Sequence, residues 1–143
     1  MPDKNEAPEM TGALSDLKVR VIMDYQLAMA RGDLATARQV FAPDVVYTVP
    51  GKSVLAGTYR GPEAVMGYLG RLIELTQGTY RISKMHWMVS DDHVSLHTVN
   101  HAERGGRNLT WNEVIVFTFR AGKKAHIELL SADSYGFDAM FGG

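Results

Sequence analysis

Apolar positions recur at helical spacing in the first half of the chain and alternate in the second. Leu17, Val21, Ile22, Tyr25, Ala28 and Met29 fall three and four apart, which predicts one apolar stripe on a helix from about Leu14 to Ala30. Gly32-Asp33 ends it, and Asp33 suits the cap of a short second helix carrying Leu34, Ala37, Val40 and Phe41. Ala42-Pro43-Asp44 reads as a turn, and Val45–Val49 as a short strand closed by Pro50-Gly51. Gly61-Pro62 opens a third helix, because a proline in the first turn removes an N–H that has no helical partner. Its stripe is Val65, Tyr68, Leu69, Leu72 and Ile73, and Gly78 suits its C-terminal end.

From Thr79 the period becomes two. Strands are predicted over 80–89, 93–103, 108–119 and 125–133, joined at Asp91-Asp92, Gly105-Gly106 and Ala121-Gly122-Lys123. Joints this short between long strands make antiparallel hairpins. The expected fold is α+β: an α+β cone, with N-terminal helices packed on a curled, mainly antiparallel sheet that encloses a pocket. Residues 1–11 are expected to be a flexible start and 12–143 a single domain.

Strand parity picks out the inward face. Trp111, Glu113, Ile115, Phe117 and Phe119 form the more aromatic set, so they are taken to look inward. Pairing through Gly105-Gly106 sets Asn100 beside Trp111, Thr98 beside Glu113 and Leu96 beside Ile115. A three-residue joint at 121–123 sets Asp133 beside Trp111, Ser131 beside Glu113 and Leu129 beside Ile115. The Asp91-Asp92 hairpin sets Trp87 beside Leu96, with Met85 and Val89 also inward. A slip of one residue would invert any of these. The product is a hollow with an apolar floor (Met85, Trp87, Leu96, Ile115, Phe117, Leu129) and polar groups toward one end (Asn100, Glu113, Ser131, Asp133). Such a lining describes a small-molecule site. Outward Val114, Val116 and Ile82 leave an apolar convex face, which predicts a homodimer through the sheet.

Composition narrows the function. The 143 residues are 45% hydrophobic and 22% charged, with a net charge of -1, so the chain can bury a core. Lys+Arg 15 against Asp+Glu 16 gives no basic footprint for nucleic acid. No apolar run approaches the ~20 residues of a membrane span. Cysteine is absent, which excludes thiolate nucleophiles and zinc–cysteine sites and fits a reducing, cytoplasmic setting. His93, His97 and His101 are spaced by four, but on a strand i and i+4 lie about 13 Å apart, too far to share an ion. No metal site is expected.

The order of elements resembles the nuclear transport factor two-like superfamily of SnoaL-like polyketide cyclases, ketosteroid isomerases and limonene epoxide hydrolases. The resemblance is carried by Tyr25 to Leu34, Phe41 to Tyr47, Tyr59 to Val65, Val116 to Phe119 with Gly122-Lys123, and Ala132 to Asp138. It implies the cone fold. Tyr25, eight residues before Asp33, matches an oxyanion-binding tyrosine of the isomerases, but their base falls at Val49 and their second acid at Ile115. Tyr47 and Asp133 match two water-holding residues of the epoxide hydrolases, whose other partners fall at Val49, Thr98 and Asn100. A lone acid/base remains, which resembles the SnoaL-like cyclases.

The expected function is therefore a cofactor-free cyclase or isomerase acting on an apolar, polyketide-like molecule. Asp133, Asn100, Tyr47, Glu113 and Tyr25 are the catalytic candidates. Val49, Tyr68, Met85, Trp87, Leu96, Thr98, Trp111, Ile115, Phe117, Leu129 and Ser131 are the candidates for substrate contact. Asp133 would serve as acid/base, with Asn100 and Tyr47 orienting substrate or stabilising charge. The alternatives are closure driven by pocket shape, a non-catalytic binding module, and a hydrolase or dehydratase with Glu113 as base. Asp133 also has a plain role open to it, as a cap for the turn that follows.

Overall fold

The computed structural model describes residues 7–142. Among the described residues, seven strands form one sheet: β1 (Glu9–Gly12), β2 (Phe41–Val49), β3 (Gly57–Arg60), β4 (Arg81–Val89), β5 (His93–Arg104), β6 (Arg107–Arg120) and β7 (Lys123–Ser131). The helices are α1 (Leu17–Ala30), α2 (Leu34–Arg38), α3 (Pro62–Leu75) and α4 (Ser134–Met140). The strand order is β1-β4-β5-β6-β7-β2-β3. The sheet curls without closing, giving the α+β cone.

The helices follow their local signals. Asp16 caps α1 by accepting from Lys18 N at 2.8 Å, and Asp33 caps α2 by accepting from Thr36 N at 3.2 Å. Val19, Ile22, Tyr25 and Ala28 form the buried stripe of α1. Leu17, expected on that stripe, is 82% exposed because α1 begins with it and its side chain falls off the buried face. Pro62 stands at the start of α3, whose end is closed by left-handed Gln77 and Gly78 (φ 52° and 77°). Gly78 N–H donates back to Ile73 C=O at 3.1 Å.

The hairpins have the expected registers. Asn100, Thr98 and Leu96 pair with Trp111, Glu113 and Ile115, and Ser131 and Leu129 pair with Glu113 and Ile115. Trp87 pairs with Leu96. Gly105 and Gly106 both have positive φ (58° and 78°), as a two-residue turn matched to strand twist requires.

Four features depart from expectation. Glu9–Gly12 is not a loose start: it pairs in parallel with β4, while residues 1–6 of the expected flexible segment lie outside the described residues. The strand expected at Val45 begins at Phe41, and its ladder to β7 breaks between Phe41 and Val46, across Ala42-Pro43-Asp44. Gly57–Arg60, expected as loop, folds back antiparallel on β2.

The fourth departure comes from two bulges. Between Ile82 and Lys84 the register of β4 shifts by one residue, so Ser83 has no partner and Ile82 turns inward to lie opposite Asn100. Ile82 therefore leaves the convex face on which parity alone placed it. In β7, Phe119 pairs with Lys124 and Thr118 with His126, leaving Ala125 as the extra residue. The joint is Ala121-Gly122, since Arg120 pairs with Lys123; the bulge restores the register expected from a three-residue joint and turns Lys124 inward. Val89, expected inward, is 39% exposed at the strand end.

Candidate functional site

Between the concave face of the sheet and helices α1 and α3 lies a cavity of about 230 Å³. Its rim includes partly exposed Gln26 and Met29 of α1 and Leu69 and Ile73 of α3. Phe137 of α4 reaches its wall and packs edge-on against Trp111, with ring centroids 5.5 Å apart. The walls are aliphatic and aromatic, so the few polar atoms that reach them dominate the chemistry.

Glu113 is one of those groups. It projects from the middle of β6 and is buried, and its Oε1 accepts the Trp111 indole N–H at 2.8 Å. Burial pushes its carboxyl up to about 7, partly opposed by that hydrogen bond. Tyr47, Tyr68 and Tyr80 also line the cavity. The Tyr47 and Tyr68 rings lie 5.0 Å apart. Burial raises all three phenols, so they are neutral hydroxyls at physiological pH.

Lys124 is the other group. Its side chain is fully buried and lines the cavity. Its Nζ sits 3.6 Å from the Tyr25 ring centroid, 4.5 Å from that of Phe41 and 5.4 Å from that of Phe117. Among the described residues it has no carboxylate and no hydrogen-bond acceptor. Burial pushes its ammonium down to about 7. The Tyr25 hydroxyl is likewise buried without a hydrogen-bond partner.

Of the residues expected at the site, Tyr25, Tyr47, Tyr68, Leu96, Trp111, Glu113, Ile115 and Phe117 line this one cavity. The others do not. Asn100 is fully buried behind the wall: its Oδ1 accepts the Tyr80 hydroxyl at 2.9 Å and its Nδ2 donates to Thr98 Oγ1 at 2.8 Å. Tyr80 thus presents the polar chain to the cavity while Asn100 and Thr98 anchor it. Met85, Trp87, Val49 and Leu129 are packed in the core. Ser131 Oγ accepts the Asp133 N–H at 3.2 Å.

Asp133 is placed differently from the expectation. β7 ends at Ser131, and Asp133 is the N-cap of α4, accepting from Gly136 N at 2.8 Å. A carboxylate held to an unpaired helical N–H is committed to the backbone. The expected polar cluster of Asn100, Glu113, Ser131 and Asp133 is thereby dispersed, and Glu113 is its one member on the cavity wall.

Sequence reasoning missed Lys124, Tyr80 and Ile127 on the wall. Lys124 was hidden by the Ala125 bulge, because uninterrupted alternation sends it outward. On the other face of the sheet, His101 is buried, with its ring nitrogens 2.9 Å from Thr110 Oγ1 and 2.7 Å from the bulged Ser83 Oγ. Burial lowers its pKa.

A curled, open sheet with helices over its concave face and an apolar chamber between them defines an NTF2-like cone. The chain belongs to the SnoaL-like domain family, which matches residues 22–127. An uncharacterized protein of Mycobacterium tuberculosis strain H37Rv is 36% identical over 107 residues, covering 74% of this chain and 82% of that protein. The structure of Bal32a, from a soil-derived mobile gene cassette, superposes with a TM-score of 0.81 at 30% identity, covering 88% of this chain and 97% of Bal32a. An NTF2-like protein of Burkholderia xenovorans LB400 shares the fold, with a TM-score of 0.78 at 24% identity over 88% of this chain and 96% of its own. Among the described residues no helix is long and apolar enough to cross a membrane.

Proposed function

We propose that the protein is a cofactor-free cyclase or isomerase that takes an apolar, polyketide-like molecule into the cone, with Glu113 as its acid/base. The observation that carries this reading is the position of Glu113: a carboxyl on the wall of an apolar chamber, titrating near neutrality because it is buried. A group poised there can both take and return a proton at working pH. Ring closure by carbon–carbon bond formation and double-bond migration share one elementary step, removal of a proton next to a carbonyl. Ionised Glu113 would take that proton. Neutral Tyr47 and Tyr68 hydroxyls, on the same wall, would donate to the enolate oxygen that develops, whereas the Tyr80 hydroxyl already donates to Asn100. The Trp111 indole keeps the carboxyl oriented. The role first assigned to Asp133 passes to Glu113, because Asp133 is occupied in the α4 cap. The convex face, with exposed Leu130 and Met88 beside half-buried Val114 and Val116, would pair with a second copy.

The test is hydrogen–deuterium exchange at carbon. Decane-2,4-dione in D2O carries acidic protons between two carbonyls on an apolar tail. The protein is expected to accelerate their exchange, followed by proton NMR, with a midpoint near pH 7. Glu113→Gln should lower the rate at least 100-fold while circular dichroism stays unchanged. Exchange that Glu113→Gln does not alter would remove Glu113 as base. Binding without any exchange would make the protein a non-catalytic carrier.

A further inference from the structure

The proposed acid/base chemistry leaves one reactive group on the cavity wall unused. Lys124 is buried among three aromatic rings at the start of β7. It pairs with Phe119, six positions along β6 from Glu113, about 20 Å of extended chain. The two groups therefore face the chamber from well-separated positions. A lysine has no packing reason to be there. The bulge at Ala125 is what turns it inward, and a methionine would fill the same space without a desolvation cost. Nor does it hold an ion pair, for among the described residues no carboxylate lies within ion-pair distance of its Nζ.

The surroundings decide what such an amine is suited to. An anion entering this wall would lose its own hydration and find one cation and one hydroxyl, and buried ion pairs of that kind roughly break even. An uncharged carbonyl loses far less on entry. Nζ lies over the ring of Tyr25, a residue of the cavity wall, at 3.6 Å, and the hydroxyl of that ring is buried and has no partner. An unpartnered hydroxyl in a dry wall costs stability until a ligand oxygen accepts its proton.

We propose that Lys124 is a covalent capture site, at which Nζ forms an imine with an aldehyde or ketone carried by an apolar ligand while the Tyr25 hydroxyl protonates the carbonyl oxygen. The nitrogen lone pair attacks the carbonyl carbon and the C=O π pair moves to oxygen. That oxygen takes the Tyr25 proton, and nitrogen returns a proton to the phenolate, leaving a neutral carbinolamine. The Tyr25 hydroxyl then protonates the carbinolamine hydroxyl, the C–O bond breaks as the nitrogen lone pair forms C=N, one water leaves, and the iminium returns its N–H proton to the Tyr25 phenolate. No oxidant or reductant is needed. Desolvation supplies the neutral amine: near pH 7 about half of Lys124 is unprotonated, against well under 1% of an ordinary surface lysine. The inference shares the cavity of the proposed function and does not depend on Glu113, since capture requires no turnover.

The experiment is reductive trapping of the full-length protein at pH 7 with decanal and sodium cyanoborohydride. Intact mass is expected to show one decyl group per chain before any second addition, and peptide mapping should put it on Lys124. Labelling there should be at least tenfold faster than on Lys52, Lys84 or Lys123, and saturating decane should suppress it. Lys124→Met should abolish the first adduct. If that variant does not fold, the wild-type map and the decane competition decide alone. Adducts spread evenly over surface lysines and indifferent to decane would overturn the proposal. So would decanoate binding that requires Lys124 without any aldehyde adduct, which would make the residue an anion anchor. The readout is mass at Lys124, so its failure leaves the exchange assay on Glu113 untouched, and the reverse holds.

Discussion

Trp111 and Glu113 stand two residues apart on the concave face of β6, and the indole N–H of the first donates to Oε1 of the second at 2.8 Å. The bond favours the carboxylate, while burial, the larger effect, favours the acid. Trp111→Phe keeps most of the wall and removes the donor. The Glu113 midpoint should then rise further above 7, read from the carboxyl carbon by NMR. An unchanged or lower midpoint would show that the indole does not hold the carboxylate.

Stability should depend on pH through two groups with opposite signs. The folded Glu113 pKa is raised, so its contribution is full below about 4.5 and is lost as pH rises through about 7. Lys124 is depressed from 10.5 to about 7, so the folded state binds fewer protons than the unfolded chain between those values and stability climbs again across that window. Each limb is worth on the order of 3 kcal/mol or more before structural relaxation. Chemical denaturation from pH 5 to 10 should show a trough near neutrality. Glu113→Gln should flatten its acid side and Lys124→Met its alkaline side; a slope that survives its variant belongs to other groups.

Asp133 acts on α4. Removing its cap with Asp133→Ala should cost about 1 kcal/mol, whereas Asp133→Asn, which also caps, should cost much less. Urea titration of the two variants checks this. A large effect on deuterium exchange with no change in stability would return Asp133 to the chemistry.

The cavity should be open to an uncharged apolar fluorophore. N-phenyl-1-naphthylamine is expected to brighten on binding, and Ile115→Trp, which fills the chamber from β6, should weaken binding at least tenfold while the fold is kept. Equal binding by the variant would place the dye elsewhere.

On the convex face, Leu130 pairs across to Val114, and Val116 pairs across to Ser95, which pairs with Met88. Leu130 and Met88 are 48% and 43% exposed. Leu130→Glu should convert a dimer to a monomer in sedimentation at micromolar concentration. A wild-type monomer would remove the pairing altogether.

Much of this architecture was readable from local pattern. Helical spacing from Ile22 to Ala28, Asp33 as a cap, Pro62 as a helix start and alternation along β5 and β6 each follow from nearest-neighbour chemistry. A two-residue turn such as Gly105-Gly106 transmits register to every pair beyond it, which is why Asn100, Thr98 and Leu96 could be matched to Trp111, Glu113 and Ile115. Glu113 was legible for the same reason, as a lone carboxylate on an apolar face. What the chain order could not convey was decided by contacts distant in sequence. The parallel pairings of β1 with β4 and of β2 with β7 join segments with no turn between them. The bulges at Ser83 and Ala125 carry no strong local signal, yet one extra residue reverses the facing of all that lies beyond it, bringing Ile82 and Lys124 inside. Packing of α4 against β6 set the fate of Asp133, because it places a helix start directly after Ser131 whose free N–H groups Asp133 caps.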